Sequence, residues 1–337
     1  MKLPAFEYAE PDSMDEACRT LVAQNGNARI IAGGTELLQA MKNHVKFPRL
    51  LVSLERIPSL TEIQYDPGNG LTFGALVTLD RLADHADIKA GYSVIAAAAQ
   101  TVGGPQLQAM GTVGGNLCQD CCCIYYNRPP DLRKRQGPCY KLGGGVCHAV
   151  KRSPGCHAVY SGDLAPVLIA LGAQVTLAEP AGAKTIPIQE MYSGNGAHPL
   201  NLKPGQVARK IRIPEQGNRT GGAYLKLRRR KAIDYPLLGV AAVISLEDDG
   251  ESCRSAKVAM TGIGSAPVAI EPADKLQGHP ITDDRLAEVA EDAHALARPV
   301  ANVVGFSPRY RRDMVRVYVQ TAVEQALADA RTKGDPQ

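Results

Sequence analysis

No run in this 337-residue sequence approaches the roughly 20 consecutive apolar residues of a membrane span. The opening stretch MKLPAFEYAEPDS also lacks the apolar core that a secretory signal requires. Both absences predict a soluble, cytoplasmic protein with no membrane partner. Tryptophan is missing altogether, and aromatic residues make up only 5% of the chain. The dense basic cluster Lys226 to Lys231 (KLRRRK) therefore stands without the stacking side chains of a nucleic-acid groove, inside an alternating apolar pattern. That argues against nucleic acid as a partner, as does the small net charge of +4. There is no internal repeat and no low-complexity tail. No G-x-G-x-x-G follows a strand with an acidic residue about 20 positions on, which tells against a nicotinamide dinucleotide in a doubly wound sheet. What remains is ordinary globular composition, 45% hydrophobic and 21% charged, long enough for two or three compact units.

The periodicities give an α+β pattern. Ser13 and Glu16 form a capping box ahead of Ala17, Leu21 and Val22, so a first helix is expected there, ending near Asn25-Gly26. A buried strand over 29–32, a glycine turn and a helix from about Glu36 to Lys42 follow, then strands in RLLVSL and GLTFGALVT and a helix opening near Thr78. An alanine-rich helix spans 93–100, and SGDLAPVLIALGAQVTLAE reads as helix, then strand. The stretch 216–222 (QGNRTGG) reads as a linker. Beyond it AYLKLRRR, LLGVAAVISLEDDGE and SAKVAMTGIG predict a three-stranded antiparallel meander, and two helical patterns close the chain.

Two glycine turns suggest a bound dinucleotide. Gly33-Gly34-Thr35 sits where a strand hands over to a helix, a place where backbone can approach a ligand and free N–H groups can meet phosphate oxygens. Alone, it reads first as a capped strand-to-helix turn. A second turn, Thr112-Val113-Gly114-Gly115-Asn116, suits a pyrophosphate held between the two, with Thr35, Thr112 and Asn116 adding hydrogen bonds. Flavin is the better candidate than nicotinamide.

Cysteine is not scarce: seven of the nine, Cys118, Cys121, Cys122, Cys123, Cys139, Cys147 and Cys156, fall within 39 residues. In a reducing compartment such crowding points to metal or redox chemistry rather than disulfides. From Cys123 the spacing is C-x15-C-x7-C-x8-C, too wide for the paired knuckles of a zinc site. Four thiolates on separate limbs suit a [4Fe–4S] cube, which needs one thiolate at each corner. His148 and His157 keep a mixed site open, and Cys121 and Cys122 are alternatives for the first position. The segment from about 117 to 161 has no period of its own, so its order is expected to come from what it binds. Cys18 and Cys253 read as small core residues.

IIAGGTELLQAM, GTVGGN, SGDLAPVLIALGA, YLKLRRRKAIDYPLLGVAAVI and SPRYRRDMVRVYV resemble, in this order and from about residue 3 to 330, the FAD-binding medium subunits of the xanthine dehydrogenase (molybdenum hydroxylase) family. Most such subunits run from the Gly-Gly-Asn turn to the Asp-Leu helix by a short connection. The insertion of about forty residues here, with NLCQDCCCIYYN, VCHAV and CHAVYSGDLAP, is similar to that of the 4-hydroxybenzoyl-CoA reductases, where it carries an additional [4Fe–4S] cluster. It departs from that pattern in having more thiols before the Tyr-Tyr pair.

The resemblance implies a two-part FAD-binding domain of the vanillyl-alcohol oxidase (PCMH) type over residues 1–220, with the iron–sulfur insertion at about 117–160. A C-terminal domain of the CO dehydrogenase flavoprotein type, antiparallel sheet plus helices, would cover 221–332. Ile30, Ile31, Ala32, Gly33, Gly34, Thr35, Glu36 and Leu37 would hold the FAD pyrophosphate together with Thr112, Val113, Gly114, Gly115 and Asn116. Asp163 would contact the cofactor, against the plainer role of a helix N-cap. Lys226 would approach the flavin, and Asp234 and Tyr235 would shape its outer face. Cys123, Cys139, Cys147 and Cys156 would hold the cluster.

No residue here is expected to act on substrate directly. The resemblance implies an electron relay within a complex. A large molybdenum-cofactor subunit and a small subunit with two [2Fe–2S] clusters would be its partners, in a dimer of heterotrimers. The first reading is a 4-hydroxybenzoyl-CoA reductase, removing a para hydroxyl with electrons from ferredoxin. The alternatives are an aldehyde or xanthine dehydrogenase-type complex running electrons outward and, from another class, a zinc-stabilised binding module.

Overall fold

The computed structural model describes residues 2–334. Its first sheet is parallel and small: β1 (Glu7–Ala9), β2 (Ala28–Ile31) and β3 (Leu50–Ser53) lie in the order β1-β3-β2. Parallel neighbours need crossovers, and the helix Met14–Ala23 supplies the first of them. Ser13 Oγ accepts the Glu16 amide at 3.2 Å, while the Glu16 carboxylate reaches the amide of Asp12 at 3.1 Å, one residue further out than a standard capping box. All four residues of β3 are buried, and Cys18 packs beneath it with no exposure.

A five-stranded antiparallel sheet follows, formed by β4 (Ile63–Asp66), β5 (Gly70–Gly74), β6 (Gln174–Glu179), β7 (Gly182–Pro187) and β8 (Val207–Ile213), in the order β4-β5-β8-β6-β7. One core joins this sheet to the helices Leu79–Asp84, Ser93–Gln100 and Leu164–Ala170. The chain between β5 and β6 therefore carries both the second glycine segment and the cysteines.

The C-terminal sheet comprises β9 (Thr220–Leu227), β10 (Leu238–Leu246), β11 (Cys253–Thr261) and β12 (Val268–Ala269), in the order β12-β11-β10-β9. The meander is as expected, with β12 as a short fourth strand. Its central strand explains its own sequence. Side chains alternate between faces along a strand, and in β10 Val240, Ala242 and Ile244 enter one core while Ala241 and Val243 enter the other. The first core holds the helices Asp283–Leu296 and Pro308–Gly334, and the second holds Leu164–Ala170. Burial on both faces is why LGVAAVISL is apolar almost throughout.

Two boundaries differ from the sequence reading. The linker is shorter than 216–222, because Thr220, Gly221 and Gly222 belong to β9. Gly221 lies so close to the last helix that a Cβ there would meet Ala326 O at 2.2 Å, so tertiary packing rather than loop flexibility fixes this glycine. The second glycine segment is not a turn but a short helix, Val113–Leu117, with Thr112 as its N-cap.

Candidate functional site

The two glycine segments are neighbours in space. A Cβ on Gly33 would fall 1.5 Å from the carbonyl oxygen of Met110, just ahead of the second segment. Only glycine permits that approach. Gly34 has φ +68, the left-handed region where an L side chain is strained. Among the described residues, the amides of Gly33, Gly34, Thr35 and Glu36 donate no hydrogen bond to protein. A ligand with phosphate oxygens would meet free N–H groups here and no side-chain bulk at two positions.

The second segment is different. The amides of Val113 and Gly114 donate to Val77 O (2.9 Å) and Ala75 O (2.7 Å), Gly115 N donates to Thr112 Oγ1 (3.1 Å), and Asn116 N donates to Thr112 O (2.9 Å). Four of its five backbone donors are therefore spent within the fold. Gly114 answers to packing, since a Cβ there would lie 2.9 Å from Ala75. Asn116 Oδ1 accepts the amide of Leu164 at 3.1 Å and so caps the helix that Asp163 precedes. Asp163, in turn, makes no capping bond.

The Asp163 side chain instead enters a sealed polar cluster. Oδ1 accepts Tyr224 OH (2.6 Å) and Thr101 Oγ1 (3.5 Å), and Oδ2 accepts Lys226 Nζ (3.0 Å). Lys226 also donates to Thr101 O at 3.0 Å. Burial pushes the carboxyl up and the amine down, and their mutual contact opposes both shifts. Tyr224 and Thr101 escaped sequence reasoning; the two-residue spacing of Tyr224 and Lys226, which puts both on one face of β9, was the available signal. Asp234 closes its own loop by accepting the amides of Arg229 (3.0 Å) and Arg230 (3.1 Å), and Tyr235 is half exposed beside it.

Cys123, Cys139, Cys147 and Cys156 line one small cavity with Tyr125, Tyr126, Val146 and Lys141. Cys121 and Cys122 do not line it, and His148 and His157 do. The cysteine segment is pinned rather than loose: Tyr140 OH donates to Ser153 O at 3.0 Å, and His148 Nε2 lies 3.2 Å from Gly137 O. It also contains a helix, Pro130–Gln136. Ala158 N donates to Cys156 Sγ at 3.4 Å, and the amides of Tyr125 and Tyr126 favour the Cys123 thiolate, though burial raises both thiols overall. Backbone N–H groups aimed at sulfur suit a thiolate cluster. Among the described residues, no three His, Cys, Asp or Glu side chains are gathered as for a single ion. Four soft thiol donors thus border one common space, the donor type that thiolate-bound metals and clusters use.

Burial pushes Cys118 and Cys122 up to about 12, which keeps them protonated. Between the two regions runs an ionic strut that the sequence did not reveal. Lys141 donates to Asp120 Oδ1 (2.7 Å) and to Gly196 O (2.6 Å), Lys46 pairs with Asp120 Oδ2 (2.8 Å), and the Asp120 amide donates to both Glu36 oxygens at 3.3 Å. Burial raises the Glu36 carboxyl to about 7.

Comparison with known proteins agrees with this architecture. A family model described as the FAD binding domain in molybdopterin dehydrogenase matches residues 4–216, and the CO dehydrogenase flavoprotein C-terminal domain matches 223–326. The chain is 28% identical to the carbon monoxide dehydrogenase medium chain of Afipia carboxidovorans, over 97% of this chain and 98% of that one. It is 32% identical to the aldehyde oxidoreductase FAD-binding subunit PaoB of Escherichia coli, over 81% and 86%. A solved carbon monoxide dehydrogenase from Hydrogenophaga pseudoflava superposes with a TM-score of 0.80 at 25% identity, covering 98% and 99%. No helix among the described residues is long and apolar enough to cross a membrane. With an α+β FAD-binding domain and an antiparallel C-terminal sheet packed by helices, this chain belongs to the family of FAD-binding medium subunits of molybdopterin dehydrogenases, as a flavoprotein subunit of a molybdenum hydroxylase-type oxidoreductase.

Proposed function

We propose that the chain is the electron-transfer subunit of its complex, with FAD at the Gly33–Glu36 turn and a [4Fe–4S] cluster at Cys123, Cys139, Cys147 and Cys156. The observation that carries this reading is the convergence of those four thiols on one cavity in a chain of flavoprotein type. When bound, a flavin exchanges one or two electrons and an iron–sulfur cluster one. The chain's own part is positional. Free amides at Gly33 to Glu36 would receive the pyrophosphate, with Ile30, Ile31, Ala32 and Leu37 as its flanks, and the segment Thr112 to Asn116 would brace that turn. Asp163 and Thr101 hold the Lys226 ammonium, which would approach the flavin as a fixed positive charge. A large molybdenum-cofactor subunit and a small [2Fe–2S] subunit complete the assembly, in a dimer of heterotrimers.

The relatives' names, a carbon monoxide dehydrogenase and an aldehyde oxidoreductase, favour a complex of the dehydrogenase type that oxidises an aldehyde or a similarly small substrate. A second reading, reductive removal of the para hydroxyl of an aromatic acyl-CoA with ferredoxin as donor, has the four-cysteine cavity in its favour. The test is to purify the native assembly, identify its subunits, count iron, molybdenum and FAD, and ask what bleaches its spectrum. Reduction by aldehydes or purines supports the first reading and reduction by ferredoxin the second. An assembly without iron beyond the small subunit's share overturns the cluster.

A further inference from the structure

Asn302 lies in the connection between the helices Asp283–Leu296 and Pro308–Gly334, far along the chain from any cysteine of the cavity. It is completely buried. Its carbonyl oxygen accepts the amide of Ile124 at 2.9 Å, and its Nδ2 donates to the carbonyl of His157. Ile124 directly follows Cys123, and His157 directly follows Cys156. One residue of the C-terminal half therefore holds the chain beside two of the four thiols. Asn302 Oδ1 meanwhile has no hydrogen-bond partner among the described residues. A buried amide with an orphan oxygen is unfavourable, so packing alone does not account for asparagine here.

The clamp has a rigid backing. Arg311, also fully buried, donates to Val300 O (3.3 Å), to Leu237 O (3.0 Å) and to the carbonyl of Gly262. Gly262 N reaches Tyr160 O at 3.1 Å, and Ser265 Oγ reaches Ala158 O at 2.7 Å. The same guanidinium thus fixes both C-terminal loops that grip the cysteine segment.

We infer that Asn302 is a positioning residue that sets the separation of Cys123 and Cys156. The C-terminal domain would then share in retaining the cluster, an inference that rests on the cluster proposed above. Groups that orient ligands from outside the first layer commonly change metal affinity by about 10–100-fold. The experiment compares Asn302→Ala and Asn302→Asp with the unaltered chain in its purified complex; the aspartate keeps the size and removes the donor to His157. Three quantities are measured: the rate at which a chelator strips iron, FAD per chain, and, after iron removal, alkylation of each cysteine by mass spectrometry.

Both variants are expected to keep FAD and to lose iron about tenfold faster. Cys156, beside the lost side-chain bond to His157, should alkylate faster while Cys139 and Cys147 hold their rates, and Cys123 should change less because Ile124 still donates to the backbone carbonyl of residue 302. If Asn302→Ala loses FAD as well, its fold has failed and the aspartate variant decides. Unchanged iron release together with unchanged alkylation of Cys156 overturns the role of Asn302 and leaves the cluster standing. An unaltered complex whose cysteine segment holds no iron overturns the cluster assignment, and this inference with it.

Discussion

Lys226 Nζ stands 3.0 Å from Asp163 Oδ2, and the two side chains are only 2% and 4% exposed. Each partner favours the charged form of the other where burial disfavours it. Removing one leaves an uncompensated buried charge, at a cost of roughly 3–5 kcal/mol. Lys226→Met should therefore lower stability by about that much, and Lys226→Met combined with Asp163→Asn should recover a good part of it. Urea unfolding of the four members of this cycle checks the pair. Strict additivity of the two losses would show that the side chains act independently.

Glu36 gives a pH dependence with a definite sign. Burial pushes its carboxyl up to about 7 in the folded chain, from an ordinary value of 4.5. Between those values the folded state holds the proton more tightly than the unfolded state. This group's stabilisation is complete at low pH and is lost as pH rises towards and through 7. Lys46 and Lys141 pull against the burial that raises it, and Asp120 adds to it. Glu36→Gln should flatten this part of the curve by on the order of 1–3 kcal/mol. Melting temperatures at pH 5 and pH 8 for both proteins are the measurement, and parallel curves would count against the assignment.

Gly33 and Met110 make the first turn intolerant of a methyl group. In Gly33→Ala the new Cβ would have to push Met110 backbone aside, an overpacking of about 1–3 kcal/mol. Flavin content of the purified variant should fall with it. Gly91, where a Cβ meets nothing within 4 Å, supplies the control: Gly91→Ala should retain its flavin. Gly114→Val is a poorer probe of phosphate binding, because its side chain would strike Ala75 first.

The cysteines separate into two classes. Cys139→Ser, Cys147→Ser and Cys156→Ser should each lose cluster iron, and so should Cys123→Ser. Cys18→Ser and Cys253→Ser, whose thiols are buried in other cores, should keep it. Iron per chain after anaerobic purification makes the comparison. Equal iron in all six variants would refute the assignment of the cavity.

Among the described residues Arg311 has no carboxylate partner, and burial lowers its guanidinium to about 10. Its three carbonyl acceptors would be stranded in Arg311→Leu, each at about 1–3 kcal/mol. A loss of roughly 3 kcal/mol or more in thermal unfolding is expected, with the loop at Val300 and Asn302 loosened first. Hydrogen exchange at Ile124, whose amide that loop accepts, would register the loosening.

Local signals in the sequence were sufficient for the elements. The capping box at Ser13, the alanine-rich helix over 93–100 and the strands of the C-terminal meander all appear where their patterns put them. The second glycine segment, Thr112-Val113-Gly114-Gly115, is spelled like a loop and folds as a short capped helix. Its amides are in fact taken by Ala75 and Val77, residues whose proximity no local pattern encodes. The double burial of β10 was visible only as an apolar run, without any indication of which core each face would enter.

By itself the sequence determined chemistry and period: which residues carry thiols, where glycine frees the backbone, and where apolar side chains recur with the repeat of a helix or a strand. These are properties of neighbours along the chain, and they are written there. Tertiary structure decided which distant groups meet. Cys123 shares a cavity with Cys156 while adjacent Cys122 does not, Asp163 finds Lys226 across 63 positions, and Asn302 reaches His157 across 145. The physical reason is that such meetings depend on how whole layers pack, and packing is set by the sum of many buried surfaces rather than by any one stretch.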